Sequence, residues 1–168
     1  MIRQSERGMT VVEVVTVGAI LVILVAFAFP MFSRTIAQRR LTGAVERVAN
    51  DLRYARSLAV TEGGTRRLHS GDEGGVQPGQ YRLEQSPNGL APWTSLTPWH
   101  SLAAEYRDSV IASIKEGPPT NATIYEVSFN GQGAAANAGA KFPISITITS
   151  PVGTQSIQVM RTGNIVVT

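Results

Sequence analysis

A long apolar block near the amino end dominates the hydropathy pattern of the chain. Residues 14–32 carry no charged side chain, and Glu13 is the single charge between Met9 and Phe32. About 20 apolar residues are enough to cross the hydrocarbon of a bilayer as one helix. No small-residue cleavage site follows the block, so we expect this helix to be kept in the mature protein. The pattern predicts a transmembrane or filament-core helix over residues 9–32.

The apolar pattern then narrows to a stripe. Apolar residues recur at alternating steps of four and three, which is one face of a helix, while arginines occupy the other faces. Gly63 and Gly64 are a helix stop signal. We therefore predict that an amphipathic helix continues over residues 33–62 and lies against a sheet. The stripe consists of Leu41, Val45, Val48, Leu52, Ala55 and Ala59.

Beyond Gly64 the pattern changes to short segments separated by turn residues. The proline-rich stretch 86–102 is predicted to be an irregular connection anchored by Trp93 and Trp99. The last three predicted strands form an antiparallel meander. The predicted fold class is α+β, with a long amino-terminal helix packed on an antiparallel β-rich domain over residues 63–168. The predicted strands cover residues 65–70, 80–85, 110–114, 123–129, 142–149, 155–160 and 164–167.

Charge is distributed unevenly along the chain. The formal net charge is +3, but residues 34–67 carry a balance of +5 and residues 68–168 a balance of −2. The basic stretch is suited to anionic headgroups, to acidic residues of neighbouring subunits or to a polyanion such as DNA. The simplest interpretation is a helix face that is solvated or paired with a neighbouring subunit, rather than one that binds DNA.

Residues typical of enzymes are missing from the sequence. There is no cysteine, and the two histidines, His69 and His100, are isolated, so a zinc site is not expected. Neither a P-loop nor a G-x-S-x-G motif occurs. We expect no enzymatic activity, no catalytic residue, no metal and no cofactor.

The amino-terminal residues resemble the class III signal of type IV pilins and type II secretion pseudopilins. The likeness lies in Gly8, in Glu13 five positions later and in Pro30 at the far end of the apolar block. It implies that prepilin peptidase removes residues 1–8 by cleavage between Gly8 and Met9, and that the amine of Met9 is then methylated. Glu13 and Pro30 then take the positions where the family carries its assembly glutamate and proline.

Glu13 also has a physical interpretation of its own. A carboxylate inside an apolar helix is costly unless it finds a partner. The amine of Met9 on a neighbouring subunit would be such a partner, and the alternative is an ordinary single-pass anchor with an incidental glutamate. The count of Arg3 and Arg7 against the arginines after the helix does not favour a cytoplasmic amino end, whereas the pilin resemblance does.

Three later segments are similar to the GspH/FimT group of minor pilins and pseudopilins. They are residues 51–60 at the helix end, 127–133 in a strand followed by a glycine turn, and 157–167 in a closing hairpin. The resemblance implies a β-rich globule of two sheets packed on the helix. It also implies that the protein is a substrate of the peptidase and the methylating enzyme.

Two functions follow from these resemblances. One is a minor pilin-like subunit of a type II secretion pseudopilus, and the alternative is a FimT-like minor pilin that binds DNA during uptake. Arg161 in the closing hairpin and Arg53 and Arg56 on the helix are the candidate DNA contacts. The expected partners are other pilins or pseudopilins, prepilin peptidase, an inner-membrane assembly platform and secreted proteins or DNA. The expected location is the bacterial inner membrane, with the carboxy-terminal domain in the periplasm, and then a pilus or pseudopilus.

Overall fold

The structure, a computed structural model, describes residues 10–75 and 77–168. Its first element is helix α1, Val11–Glu62, 52 residues long. Residues of the chain divide into two compact units, one ending at Ala37 and the other running Gln38–Thr168. The predicted helix end is confirmed, because Gly63 and Gly64 follow α1 with φ values of 72° and 76°, a conformation in which glycine terminates helices readily.

Within the unit Gln38–Thr168, the predicted stripe of α1 is the buried face of the helix. Every one of its six residues is buried, and Ala44 and Ala49 broaden the face. These small and branched side chains join one hydrophobic cluster with residues of both sheets. The helix is therefore part of the core, as an amphipathic pattern of this period predicts.

Ten strands and a short second helix follow in the described part of the chain after Gly64. Alternation of buried and less buried residues marks the longer strands, as in β8, where one side of the strand faces the core. The strands are β1 (Thr65–Ser70), β2 (Gln80–Ser86), β3 (Thr94–Ser95), β4 (His100–Ser101), β5 (Val110–Lys115), β6 (Thr123–Ile124), β7 (Glu126–Phe129), β8 (Ile144–Ser150), β9 (Gly153–Val159) and β10 (Ile165–Val167), and helix α2 is Leu102–Tyr106.

The strands form two antiparallel sheets of five. The first has the order β3-β2-β1-β7, with β4 also paired to β2, and the second has the order β10-β9-β8-β5-β6. The predicted meander is confirmed, because β8, β9 and β10 are consecutive neighbours in the second sheet. The α+β fold class is confirmed as well.

The prediction of one strand over residues 123–129 is wrong. The segment divides between the two sheets: Ile124 lies opposite Ile114 in the second sheet, and Val127 lies opposite Leu68 in the first. Tyr125 lies at the crossing, where its carbonyl accepts a hydrogen bond of 2.7 Å from the Ser70 amide. Short-range alternation is the same on both sides of such a crossing, so periodicity does not reveal it.

The connection over residues 86–102 is more ordered than predicted. Two short strands, β3 and β4, pair with β2. Helix α2 begins directly after Ser101, whose Oγ accepts a hydrogen bond from the Ala104 amide at 3.3 Å, as an N-cap serine does. Leu102 is the buried residue of this helix. The prediction missed α2 because a five-residue helix has no periodic pattern long enough to detect.

Candidate interaction surfaces

The first surface is the apolar beginning of α1. From Val11 to Phe27 every residue is exposed. Among the described residues, one helix, α1, is long and apolar enough to cross a membrane, judged by length and composition. An apolar stretch exposed on all sides is what a membrane span or a helix awaiting a partner shows. The expectation of a transmembrane anchor fits this surface.

Thr10 caps the start of this helix. Its Oγ1 accepts a hydrogen bond from the Glu13 amide at 3.2 Å, and its carbonyl accepts one from the Val14 amide at 3.2 Å. A threonine followed three residues later by glutamate is a capping-box pattern. Glu13 is exposed, and a carboxylate in the first turn is favoured by the helix dipole. The signal is present in the sequence as Thr10-Val11-Val12-Glu13, but hydropathy alone does not reveal it because it depends on polar side chains.

The remaining residues of the predicted processing and assembly site are placed as follows. Gly8 and Met9 lie outside the described residues. Pro30 lies within α1. Cleavage, methylation and the assembly roles of Glu13 and Pro30 stay predictions.

The second surface is a layer of arginines and carboxylates on β1, β2 and β7, covered by two tryptophans of the 86–102 connection. Arg67 binds Glu84 through Nε at 2.6 Å and also binds Glu126. Arg82 donates from Nε to Glu84 at 2.7 Å. The side chain of Glu84 is only 2% exposed. Burial by itself would raise the pKa of Glu84, but hydrogen bonds and charge from Arg67, and then from Arg82, outweigh burial and hold this pKa below its usual value.

The two tryptophans of the connection cover this layer. The guanidinium of Arg67 lies 3.9 Å from the centre of the Trp93 ring, and that of Arg82 lies 4.4 Å from the centre of the Trp99 ring. These are cation–π distances. Trp93 and Trp99 therefore contact arginine planes rather than the apolar core. Within the described residues, both arginines of this layer are paired with carboxylates, Arg67 with Glu84 and Glu126 and Arg82 with Glu84.

The third surface holds the three predicted DNA contacts. Arg53, Arg56 and Arg161 form no salt bridge with any residue in the described ranges. Arg53 and Arg56, together with Ser57, Val60 and Thr61, line a surface depression of about 270 Å³, which we call the Arg56 pocket. Arg53 donates from Nη1 to the Asn50 side chain at 2.8 Å. The guanidinium of Arg161 is exposed and lies 5.7 Å from the Phe142 ring centre.

Two glycine turns hold Arg56 in place. Arg56 Nε donates to the Gly133 carbonyl at 2.9 Å. A Cβ on Gly163 would lie 1.9 Å from that carbonyl oxygen and 3.0 Å from Arg56 Nε. Both glycines have positive φ, 74° and 80°. The turn after β7 and the turn between β9 and β10 thus meet at Arg56, and the β9–β10 turn also carries Arg161.

This meeting point joins the three sequence segments singled out above, because Arg56 lies in residues 51–60, Gly133 in 127–133 and Gly163 in 157–167. Asn130 shapes the first turn, because its side-chain oxygen accepts hydrogen bonds from the Gln132 and Ala134 amides. The two turns are also joined by a hydrogen bond of 3.1 Å from the Ala135 amide to the Arg161 carbonyl. The contact between the two turns was not predicted because they lie far apart in the sequence. Gly133 and Gly163 were the signal that the sequence offered.

Comparison with known proteins identifies a matching family and solved structures with a similar fold. A family model described as type II transport protein GspH matches residues 44–163. The structure is similar to the type IV minor pilin FimU of Pseudomonas aeruginosa, with TM-score 0.53, 17% identity, and coverage of 78% of this chain and 90% of that one. It is also similar to the minor pseudopilin EpsH of the Vibrio cholerae Type 2 Secretion System, with TM-score 0.53, 10% identity, and coverage of 77% and 96%. No curated protein sequence matches the chain significantly.

Proposed function

This chain belongs to the GspH family and is a minor pilin-like subunit, and we propose that the assembly it enters is a type II secretion pseudopilus. Its family and fold are those of structural pilins and pseudopilins. The observation that carries the choice of assembly is the match of residues 44–163 to the type II transport family model. Helix α1 supports the role of a subunit, because its first part is apolar and exposed while its later part belongs to the core of a pilin-like domain.

The apolar part of α1 suggests two successive environments. A single apolar helix fits anchoring in the inner membrane, where lipid covers the exposed side chains. In a filament, the apolar helices of neighbouring subunits would cover one another instead. On this proposal the domain after α1 faces the periplasm, and prepilin peptidase cuts at Gly8 from the cytoplasmic side before assembly.

Glu13 is proposed to guide entry into the filament. Its carboxylate would pair with the Met9 amine of a neighbouring subunit, which removes two unpaired charges from an apolar surrounding. The hydrogen bond from the Glu13 amide to Thr10 supports a competing role, namely capping of α1 within one subunit. The two roles differ in what they need: pairing needs the negative charge, and the cap needs the Thr10 oxygen.

Three replacements separate these roles. Glu13→Gln keeps a capping-box side chain but removes the charge, Glu13→Ala removes both, and Thr10→Ala removes the cap oxygen alone. We expect the two Glu13 variants to insert in the membrane and be cut normally but to enter sheared filaments at about a tenth of the wild-type level or less, since the lost pair is apolar-embedded. Thr10→Ala should enter nearly normally. Normal incorporation of Glu13→Gln would contradict the pairing role.

A second candidate function is DNA binding by a type IV minor pilin. The specific observation in its favour is that Arg53, Arg56 and Arg161 have no acidic partner among residues 10–75 and 77–168. Against it stands the small number of cations, because binding to phosphates is usually shared among several. Affinity of the full chain for double-stranded DNA that falls steeply with salt, and falls further in Arg161→Ala, would favour this function.

A further inference from the structure

We propose that the Arg56 pocket is a docking site for a carboxylate-bearing segment of another pilin-like subunit. The inference rests on the proposed function and adds to it the surface, outside the membrane anchor, through which a neighbour is recognised. The pocket lies entirely on residues of the unit Gln38–Thr168.

The arginines of the pocket are available to an acidic partner, because no described carboxylate is paired with them. Four other arginines are each paired with a carboxylate within the chain: Arg47 with Asp51, Arg66 with Glu62, and both Arg67 and Arg82 with Glu84. Arg53 and Arg56 are not, and among the described residues neither are Arg34, Arg39 and Arg40 of the same helix; what sets the pocket apart is that its two guanidinium groups flank one depression. A guanidinium held without a carboxylate offers paired N–H donors that match an incoming carboxylate.

Arg56 is also pre-positioned. Its Nε is used by the Gly133 carbonyl at 2.9 Å, and no other described group accepts from its two terminal amino groups. A Cβ on Gly133 would lie 2.9 Å from a Val60 methyl and 3.2 Å from Arg56 Nε. The turn is therefore pressed against both residues, and less side-chain freedom is lost when a partner binds.

The floor of the pocket favours a protein partner over a single-stranded nucleic acid. Val60 is 53% exposed, and the pocket is otherwise lined by arginine stems, Ser57 and Thr61. Single-stranded nucleic acid is bound by stacking bases on aromatic rings, and no aromatic side chain lines this depression. An aliphatic floor flanked by guanidinium groups suits an apolar side chain with a nearby Asp or Glu.

The spacing of the lining residues sets the form of the partner. Positions 53, 56, 57, 60 and 61 follow the i, i+3, i+4, i+7 pattern of one helix face. Such a face accepts a second helix or an extended segment running along it. In the proposed filament another subunit's stem or loop lies beside α1, so a neighbouring subunit is the occupant with access to this face.

Zero-length cross-linking in cells that assemble the filament tests the proposal with the full chain. A carbodiimide activates a carboxylate, which a primary amine within contact distance then attacks to give an amide; a guanidinium does not react in this way. The chain has two lysines, Lys115 and Lys141, and a parent with both changed to arginine removes their background. Arg53→Lys then introduces one amine at the pocket, and Arg107→Lys, at an exposed arginine elsewhere, is the matched control.

We expect Arg53→Lys to give an amide, mapped by mass spectrometry, to an Asp or Glu of another pilin-like subunit, and Arg107→Lys to give none. Adding Ser57→Glu inside the pocket should lower the yield about tenfold, because a like charge then faces the incoming carboxylate. Adding Thr42→Glu, exposed on the same helix but outside the pocket, should leave the yield unchanged.

Three results would overturn the proposal, and incorporation of the parent into filaments tells them apart. If the parent is incorporated but its Arg53→Lys derivative gives no amide, or no more than Arg107→Lys gives, the docking site is rejected and the subunit function stays intact. A parent that never enters filaments rejects both. Salt-sensitive binding of a 30-base-pair duplex by the detergent-solubilised full chain, abolished by Ser57→Glu, assigns the pocket to a polyanion instead.

Discussion

Glu84 shows at residue scale how this fold keeps a buried carboxylate charged. Its side chain is almost fully buried, yet Arg67 and Arg82 both donate to it. Breaking a buried pair by removing one partner's charge is much more costly than losing an exposed pair. The nearby His69 behaves in the opposite sense, because burial lowers its pKa and keeps the ring neutral.

We expect Glu84→Gln to lower the free energy of unfolding of a soluble fragment 38–168 by about 3 kcal/mol at neutral pH. Because the folded pKa of Glu84 is lowered, its stabilisation is complete above the usual pKa and is lost as the pH falls through the folded value. The acid-induced loss of stability should therefore be smaller in the variant. Urea unfolding at neutral pH and near pH 3 measures both effects.

The exposed Glu46 provides the control for this prediction. Glu46 forms no salt bridge within the described ranges, so Glu46→Gln should change stability by no more than about 0.5 kcal/mol. Burial lowers the pKa of His69, so protonation of this ring in acid also reduces stability, and it does so more in Glu84→Gln, because the Glu84 charge partly offsets the effect of burial. Equal acid sensitivity of wild type and Glu84→Gln would contradict the assignment to Glu84.

At the scale of elements, what could be predicted depended on how local the signal was. The buried face of α1 and its glycine stop were read correctly, because a helical stripe repeats over many turns and needs no distant contact. The division of residues 123–129 between two sheets was missed, since it depends on pairing with Ile114 and Leu68 far away in sequence. The same reason hid the contact of the two glycine turns at Arg56.

The contact between these turns makes a prediction about Gly163. Gly163→Ala would combine a left-handed backbone with a Cβ 1.9 Å from the Gly133 oxygen. Gly139 has a similar φ of 74° but nothing within 4 Å of its Cβ position. We expect Gly139→Ala to cost about 1 kcal/mol of stability for the backbone alone and Gly163→Ala at least about 2 kcal/mol more.

Thermal unfolding of the two alanine variants, followed by circular dichroism, gives the comparison. The difference between them isolates the steric contact, because both carry the same change of residue at a similar φ. Equal melting temperatures would show that the two turns do not press on each other as the structure places them. A disturbed turn should also release Arg56, so Gly163→Ala is expected to reduce docking at the Arg56 pocket.

At the scale of the whole molecule, the candidate sites differ in how far they could be predicted from the sequence alone. The anchor is recognisable because membrane insertion depends on composition and length, which are read directly. The sequence singled out Arg53, Arg56 and Arg161 by their charge. Only the side-chain contacts in the structure distinguish them from the arginines that are paired with carboxylates. The Arg56 pocket needed both the helix face and two distant turns, so no local pattern predicted it.

The last prediction concerns the proposed processing of the chain. Gly8→Ala or a bulkier replacement adds a side chain where the peptidase is expected to cut, so the uncut form should accumulate in the membrane fraction. Gly18→Ala is the matched control: its Cβ would meet nothing within 4 Å, alanine suits a helix interior, and cutting should be normal. Immunoblotting of membranes and sheared filaments separates the two forms by the mass of residues 1–8. A Gly8 variant that is cut at the wild-type level would contradict the role of Gly8 in cleavage, and a variant that stays uncut but still assembles would show that entry into the filament does not depend on removing the leader.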